Sequence, residues 1–166
     1  MALIKPFECV RPNEKDAARV AALPYDVVSR EEAAAIGKEN PDSFLHVDRA
    51  EMDLPADAGL YDPEVYKKAK ENLLQMEEKG ILSQDHKPCY YIYELVRKGK
   101  VQTGIAGCAS IDDYLNNVVK KHELTRSDKE LDRINHVDVC DANTGPIYLA
   151  CRYTCLLYTS PSPRDA

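Results

Sequence analysis

The spacing of apolar residues predicts one long helix near the middle of the chain. Asp62-Pro63 opens it, with proline at the first helical position, and Gly80 lies just beyond its end. Between them, apolar side chains recur at intervals of three and four residues, which places them on one face of a helix. The residues of this face, which we expect in the core, are Val65, Ala69, Leu73 and Met76.

Two shorter helices and one strand are predicted before the long helix. The first helix extends from about Asn13 to Ala22. Ser29 and Glu32 have the spacing of a capping box, so a second helix begins there and ends before Pro41. The apolar run from Ser43 to Val47 predicts a strand.

An alternating segment after the long helix predicts two strands joined around Lys98-Gly99. Alternate residues of the second strand share one face, as in a half-buried sheet. They are Thr103, Ile105, Gly107, Ala109 and Ile111. Asp112 or Asp113 is predicted to cap a short helical turn that follows.

The last predicted elements are a helix and a strand. Thr125 followed by Asp128 has the spacing of a helix start, and the helix should end near Gly145-Pro146. Residues Ile147 to Arg152 predict a final strand. Together, the elements predict an α/β or α+β fold, in which a mixed sheet is flanked by helices.

Composition and charge limit the classes of function. The chain has 166 residues and a net charge of −6, which argues against a nucleic-acid-binding surface of the usual basic kind. No apolar run approaches the roughly 20 residues of a membrane helix, and the N-terminus lacks a signal-peptide core, so we expect a cytoplasmic protein. The six cysteines form no Cys-x-x-Cys pair. We therefore expect no metal site, and we expect mostly buried, reduced thiols.

The densest group of polar residues follows Lys120. On a helix, the basic residues Arg126, Lys129, Arg133 and His136 fall within an arc of about 80°, while Leu131, Ile134 and Ala142 lie on another side that would pack. Cationic side chains near a helix N-terminus favour a phosphate or carboxylate. His122 and Glu123, just upstream, are candidates for proton transfer.

An ordinary salt-bridged helix is the alternative interpretation of this segment. Residues 120–136 contain five Lys or Arg and four Asp or Glu, a net charge of only +1. Arg126 and Glu130 have the spacing of an ion pair, and so do Lys129 and Asp132. Spacing alone leaves both interpretations open.

Other candidate residues favour structural roles. His46, on the predicted apolar strand, is expected to be a satisfied core histidine rather than a ligand. The tyrosines of the first hairpin strand suit stacking on bases, but building the core and pairing across the sheet are the expected roles. They are Tyr90, Tyr91 and Tyr93.

Three long strings closely resemble an uncharacterised bacterial family, domain of unknown function 1015. They are ALPYDVVSREEA (residues 22–33), NPDSFLHVDRAEMDLP (residues 40–55) and QTGIAGCASIDDYLNNVVKKHELTRSDKELDRINH (residues 102–136). The resemblance extends over nearly all of residues 1–153. The family is more distantly similar to the superfamily that joins ParB-type nucleotide-binding proteins, sulfiredoxin and free-serine kinases.

This resemblance implies a nucleotide or phosphate site, with ATP or ADP and Mg²⁺ as the expected cofactors. It also implies phosphoryl transfer to a small hydroxyl substrate such as serine. Glu123 is the position that resembles the glutamate that activates the hydroxyl. Our hypothesis adds His122 as its helper and Arg126, Lys129, Arg133 and His136 as the phosphate contacts. The kinases also have a downstream His-His segment that is absent here, so we expect this chain to be inactive on its own.

The resemblance also implies that the chain is truncated. Residues 1–154 are expected to be the N-terminal part of a longer α/β protein with an incomplete sheet. Residues 1–85 would be a helical or mixed subregion and 86–154 the start of a ParB-like region. Residues 155–166 read as translated sequencing-library adapter, and a natural Ser/Pro-rich tail is the alternative.

Two other functions remain open at the level of sequence. One is a non-catalytic regulatory module that binds a nucleotide or phosphorylated metabolite. The other is a ParB-like nucleic-acid-binding protein, which the acidic composition makes the least favoured. All three hypotheses use the same basic helix, and the sequence does not determine the oligomeric state.

Overall fold

The computed structural model describes residues 2–121 and 126–150 and has helices beside small antiparallel sheets, which confirms the α/β class. The helices are α1 (Ala17–Val20), α2 (Arg30–Glu39), α3 (Leu45–Asp48), α4 (Pro63–Glu78), α5 (Ile111–Leu115) and α6 (Ser127–Cys140). A 3-10 helix (Ala50–Asp53) follows α3. The strands are β1 (Ile4–Lys5), β2 (Val10–Pro12), β3 (Leu82–Gln84), β4 (Tyr91–Arg97), β5 (Lys100–Ala106) and β6 (Cys108–Ala109).

Helix α4 is the centre of the main hydrophobic core, as its apolar stripe predicts. Val65, Ala69, Leu73 and Met76 are all buried there. They pack with Val20, Val47, Ala50, Ile81, Leu82 and Cys140 in one cluster. Gly80 ends the helix in a left-handed conformation (φ +68°), which glycine adopts without steric cost.

The capping box that opens α2 is also confirmed. The Ser29 side chain accepts a hydrogen bond from the Glu32 N–H, and the Glu32 carboxylate accepts one from the Ser29 N–H. Ala33 on this helix packs with Val28 and Leu45 in a second, smaller cluster.

The predicted strand from Ser43 to Val47 is wrong, because this segment forms helix α3. The Ser43 N–H donates to the Asn40 carbonyl at 3.1 Å, which turns the chain back directly after α2. Leu45 and Val47 are then buried in different clusters on the two sides of the short helix. Periodicity does not separate a strand from a buried helical turn in so short an apolar run.

The first helix is shorter than predicted, since α1 begins only at Ala17. Residues before it form a turn, in which the Asp16 and Ala17 N–H groups donate to the Asn13 carbonyl and side chains add further hydrogen bonds. The Asn13 Nδ2 donates to Asp16 Oδ2 at 2.6 Å and to the Gly80 carbonyl at 2.8 Å. Asn13 thus connects this turn to the end of α4.

The hairpin around Lys98-Gly99 is confirmed. Strands β4 and β5 pair antiparallel over seven positions, from Tyr91 opposite Ala106 to Arg97 opposite Lys100. Both turn residues have positive φ, +50° and +74°, as the favoured two-residue hairpin turns require. Strand β1 pairs with β6 and β2 pairs with β3, both antiparallel.

The prediction of a half-buried second strand is wrong for β5. Ile105 is 53% exposed, and Ile92, its cross-strand partner, is 65% exposed. The strand ends at Ala106, and Ile111 begins α5 instead of continuing the strand. Ser110 caps α5, so neither of the two aspartates that follow is the cap.

Helix α6 occupies a shorter range than its pattern predicts. Its N-cap is Arg126, while Thr125 lies outside the described residues. It ends at Cys140 because Asp141 turns the chain with a left-handed backbone (φ +53°). Residues 147–150 are not a strand, and the rest of the predicted final strand lies outside the described residues.

Burial of the thiols also differs from the expectation. Of the four cysteines that the structure describes, only Cys140 is buried, while Cys89 and Cys108 are exposed. Each is a free thiol. No helix in the described part of the chain has the length and apolarity needed to cross a membrane.

Arg30 holds the acidic loop that follows the 3-10 helix. Its guanidinium donates to backbone carbonyls of Glu51, Leu54, Pro55, Ala56 and Ala58, at 2.8 to 3.4 Å. One side chain from α2 therefore donates hydrogen bonds to the carbonyl groups of a loop whose backbone forms no regular hydrogen-bond ladder.

We expect Arg30→Met to destabilise the protein by about 2 kcal/mol, since hydrogen bonds to a charged donor are lost and carbonyls are left unpaired. Hydrogen exchange should accelerate in a peptide covering residues 51–58. Arg97→Met, at the exposed hairpin turn, is the matched control. Unchanged exchange in residues 51–58 would show that Arg30 does not hold the loop.

Candidate anion-binding site

The four predicted basic residues lie on α6 or at its N-cap, but they do not form one surface. Arg126 is exposed, Lys129 and Arg133 contact tyrosines of other segments, and His136 is buried. The two predicted proton-transfer residues, His122 and Glu123, lie outside the described residues.

The side of α6 that packs is not the predicted apolar side. Leu131 and Ile134 are 58% and 56% exposed, whereas Asp132, His136 and Cys140 are buried. These three recur at intervals of four residues and therefore form one stripe. The prediction failed because a polar side chain with hydrogen-bond partners can be buried as well as an apolar one. The hydropathy of the sequence does not show those partners.

Asp132 joins α6 to α4. Its Oδ1 accepts a hydrogen bond from the Tyr66 hydroxyl at 3.1 Å, and its Oδ2 accepts from Arg133 Nε and Nη2 at 3.2 and 3.0 Å. Both carboxylate oxygens of a residue that is only 8% exposed are thus satisfied. Breaking such a pair would leave a buried charge without compensation.

His136 belongs to a polar chain at the inner end of α6. Thr144 Oγ1 donates to Asp48 Oδ1 at 3.0 Å and lies 3.2 Å from His136 Nε2. Because the hydroxyl has one proton, its oxygen must accept from His136, which places the imidazole proton on Nε2. The Tyr66 ring contacts His136 edge-on, with centroids 6.5 Å apart.

Burial controls the protonation of this chain. It lowers the pKa of His136 to about 4, and the nearby positive charge of Arg133 acts in the same direction. Burial also raises the pKa of Asp48, although the Thr144 hydrogen bond and Arg133 oppose the shift. His136 is therefore a neutral packing residue, and the prediction that it contacts phosphate as a cation has no support at neutral pH.

Lys129 lies in the first turn of α6 and remains available to an anion. Its Nζ is 3.1 Å from the Tyr61 hydroxyl and 5.6 Å from the centroid of the same ring. The hydrogen bond to Tyr61 raises the pKa of Lys129, so the ammonium is charged at neutral pH. No carboxylate of a described residue lies within ion-pair distance of it.

Arg133 lies next to Lys129 along the same side of the helix. Its guanidinium carbon is 4.4 Å from the centroid of the Tyr25 ring, a cation–π geometry. Asp132 occupies two of its five N–H groups, and its side chain is 31% exposed. The remaining N–H groups form no hydrogen bond with any residue that the structure describes.

Arg126 does not share this surface. Its guanidinium is 2.7 Å from Asp128 Oδ2, and its side chain is 76% exposed. The pair neutralises Arg126 and places a carboxylate in the first turn of α6, where the helix dipole favours it. Neither predicted helical ion pair, Arg126 with Glu130 or Lys129 with Asp132, is formed.

Tyr90 and Tyr93, which were expected in the core, are 52% and 55% exposed, so the prediction is wrong for them.

His46 has a structural role. His46 Nδ1 is 2.9 Å from Asp53 Oδ2, and Asn72 donates to the same oxygen at 2.8 Å. The hydrogen bond to Asp53 raises the pKa of His46. Within the two described ranges, no three His, Cys, Asp or Glu side chains are grouped to hold a metal ion.

The two main surface depressions lie elsewhere. One is lined by Asn13, Glu14 and Lys15, and the other by a set that includes Arg11, Asp85 and Tyr91. Both are shallow, and Asp85 already pairs with Arg11 at 2.9 Å. We therefore place the candidate site on the α6 surface, where two cations lie one turn apart, and we call Lys129, Arg133, Tyr25 and Tyr61 the α6 site.

Comparison with protein-family models identifies the chain. The model described as Protein of unknown function (DUF1015) matches residues 4–157. The chain belongs to the DUF1015 family. Among curated proteins and among solved structures, none matches the DUF1015 chain significantly.

Neither tyrosine of the α6 site is predicted from the sequence. Tyr25 lies in the Pro24-Tyr25-Asp26 segment, in the first string that resembles the DUF1015 family, which was the available signal. Tyr61 precedes α4 and carried no signal of its own. The contacts of both with α6 depend on how α4 and α6 pack together.

Protonation of His136 should make the stability of the DUF1015 chain depend on pH. Its folded pKa of about 4 lies below the ordinary value of 6.5, so the unfolded state binds the proton first. The contribution of neutral His136 to the free energy of unfolding is fully present above pH 6.5 and is lost as the pH falls towards 4. We expect a loss of about 2 kcal/mol between pH 7 and pH 5.

Urea unfolding at the two pH values measures this loss. His136→Gln should remove about that much of the pH dependence, whereas His86→Gln, in an exposed loop, should retain it. An equal pH dependence in wild type and His136→Gln would contradict a neutral, buried imidazole.

Proposed function

We propose that the α6 site binds the phosphate groups of a nucleotide, and that the DUF1015 chain takes part in nucleotide-dependent phosphoryl transfer to a small hydroxyl substrate. The observation that carries the proposal is the pair of cations, Lys129 and Arg133, one turn apart and each against a tyrosine ring. Phosphate recognition needs fixed cations more than it needs any one fold.

The two cations offer complementary contacts. Arg133 is held by Asp132 and Tyr25, so its free N–H groups have a fixed direction and lose little entropy on binding. Lys129 is a point charge whose described partner is a phenol rather than a carboxylate. An incoming phosphate therefore gains an ion pair at Lys129 without displacing one.

Tyr61 supplies an aromatic surface beside these charges. Its side chain is 46% exposed, and its hydroxyl is bound to Lys129. An exposed ring beside a phosphate-binding cation suits a nucleobase, which stacks at about 1 to 3 kcal/mol per base. This favours a nucleotide over inorganic phosphate as the ligand, with Mg²⁺ as the expected counter-ion of its phosphates.

Calorimetric titration with ATP and Mg²⁺ tests the site. Lys129→Ala and Arg133→Ala should each weaken binding by about tenfold or more, the value of one charge-assisted hydrogen bond. Lys67→Ala is the matched control, since Lys67 is an exposed lysine on α4 that pairs with Glu64. Equal affinity in all four proteins would exclude the α6 site.

Turnover separates an enzyme from a regulatory module. The proposal assigns Glu123 as the base and His122 as its helper. ADP release should be measured with ATP and serine. If product forms, Glu123→Gln should abolish it; saturable binding without product supports the regulatory module instead.

A further inference from the structure

The turn between α1 and α2 lies against the α6 site. The Val27 N–H donates to the Pro24 carbonyl at 3.1 Å, which closes a tight turn with Tyr25 inside it. Tyr25 is partly buried although its neighbours on both sides are exposed. Its ring is the part of this turn that contacts α6.

The backbone of Tyr25 is held from the opposite direction. Arg49 Nη1 donates to the Tyr25 carbonyl at 3.1 Å, and Arg49 Nε lies 2.7 Å from Glu51 Oε1. The side chains of Arg49 and Glu51 are only 18% and 6% exposed. The carbonyl of Tyr25 is therefore fixed by a buried ion pair that belongs to the segment after α3.

The ring of Tyr25 restricts Arg133 on one face, while Asp132 restricts one edge of the same guanidinium. A guanidinium held on a face and along one edge keeps one direction for its remaining N–H groups. An arginine with only one of these restraints would sample several rotamers and lose more entropy on binding an anion.

We propose that Tyr25 is a positioning residue of the α6 site: it orients Arg133 towards the phosphate groups of the ligand and does not itself contact them. The Pro24–Val27 turn thereby becomes part of the binding site, although it is remote from α6 in sequence. This inference rests on the proposed nucleotide site.

Two probes distinguish positioning from direct stacking on the base. ATP with Mg²⁺ has a base, whereas inorganic tripolyphosphate with Mg²⁺ has none. Tyr25→Ala should weaken the binding of both probes by the same factor, about fivefold from the lost cation–π contact. Tyr25→Phe keeps the ring and should bind both probes within about twofold of wild type. Tyr93→Ala, on the exposed hairpin, is the control variant.

A double-mutant cycle tests whether Tyr25 acts through Arg133. In the Arg133→Ala background, Tyr25→Ala should have no further effect, because the residue it positions is gone. Additive losses would overturn the proposal. So would a loss for ATP alone, which would indicate stacking on the base.

The geometry is also testable without ligand. The Arg133 Nε–H signal in NMR spectra should be shifted by the ring current of Tyr25 and should move in Tyr25→Ala. A signal that stays in place overturns the proposal, whether or not the variant is fully stable. The wild-type titrations test the proposed function separately from the role of Tyr25. If wild type binds neither probe, the proposed function is wrong, and this result involves no variant.

Discussion

The contact between α4 and α6 is the interaction on which the rest of the structure depends, and its defining feature is that polar groups make it. Asp132 and His136 are buried at this contact, and each is satisfied by a partner from outside α6. A charged carboxylate without such partners would be expelled to water. The orientation of α6 therefore follows from the Tyr66 hydroxyl and the Thr144–Asp48 pair as much as from apolar burial.

That orientation decides which basic residues form a site. Turning Asp132 inward places Arg133 at the edge of the buried stripe, where it is fixed, and leaves Lys129 at the surface beside Tyr61. It also places His136 in the core, where burial removes its charge. The sequence grouped Arg133 and His136 together as cations. Only Arg133, at the edge of the contact, can bind an anion, because His136 lies beneath the contact and burial keeps it neutral.

The ion pairs around this contact differ in how much they restrict the chain. Glu51 is buried and Arg49 partly buried, and this pair holds the turn at Tyr25. Arg126 and Asp128 instead lie in solvent, where pairs of this kind contribute little. The family resemblance includes the segment around Arg126, but the restricted positions are Arg133, about two turns later on α6, and the distant Pro24–Val27 turn.

Local rules determined α4, the capping box of α2 and the hairpin turn, because each depends on residues that are close in the chain: the apolar stripe, Ser29 with Glu32, and Lys98-Gly99. Sequence also identified the DUF1015 family and the basic helix. Only the tertiary structure decided that Ser43–Val47 turns into a helix, which side of α6 is buried, and that Tyr25 contacts Arg133. The last two outcomes depend on partners far along the chain, whose hydrogen bonds compensate the burial of polar groups that periodicity alone assigns to solvent.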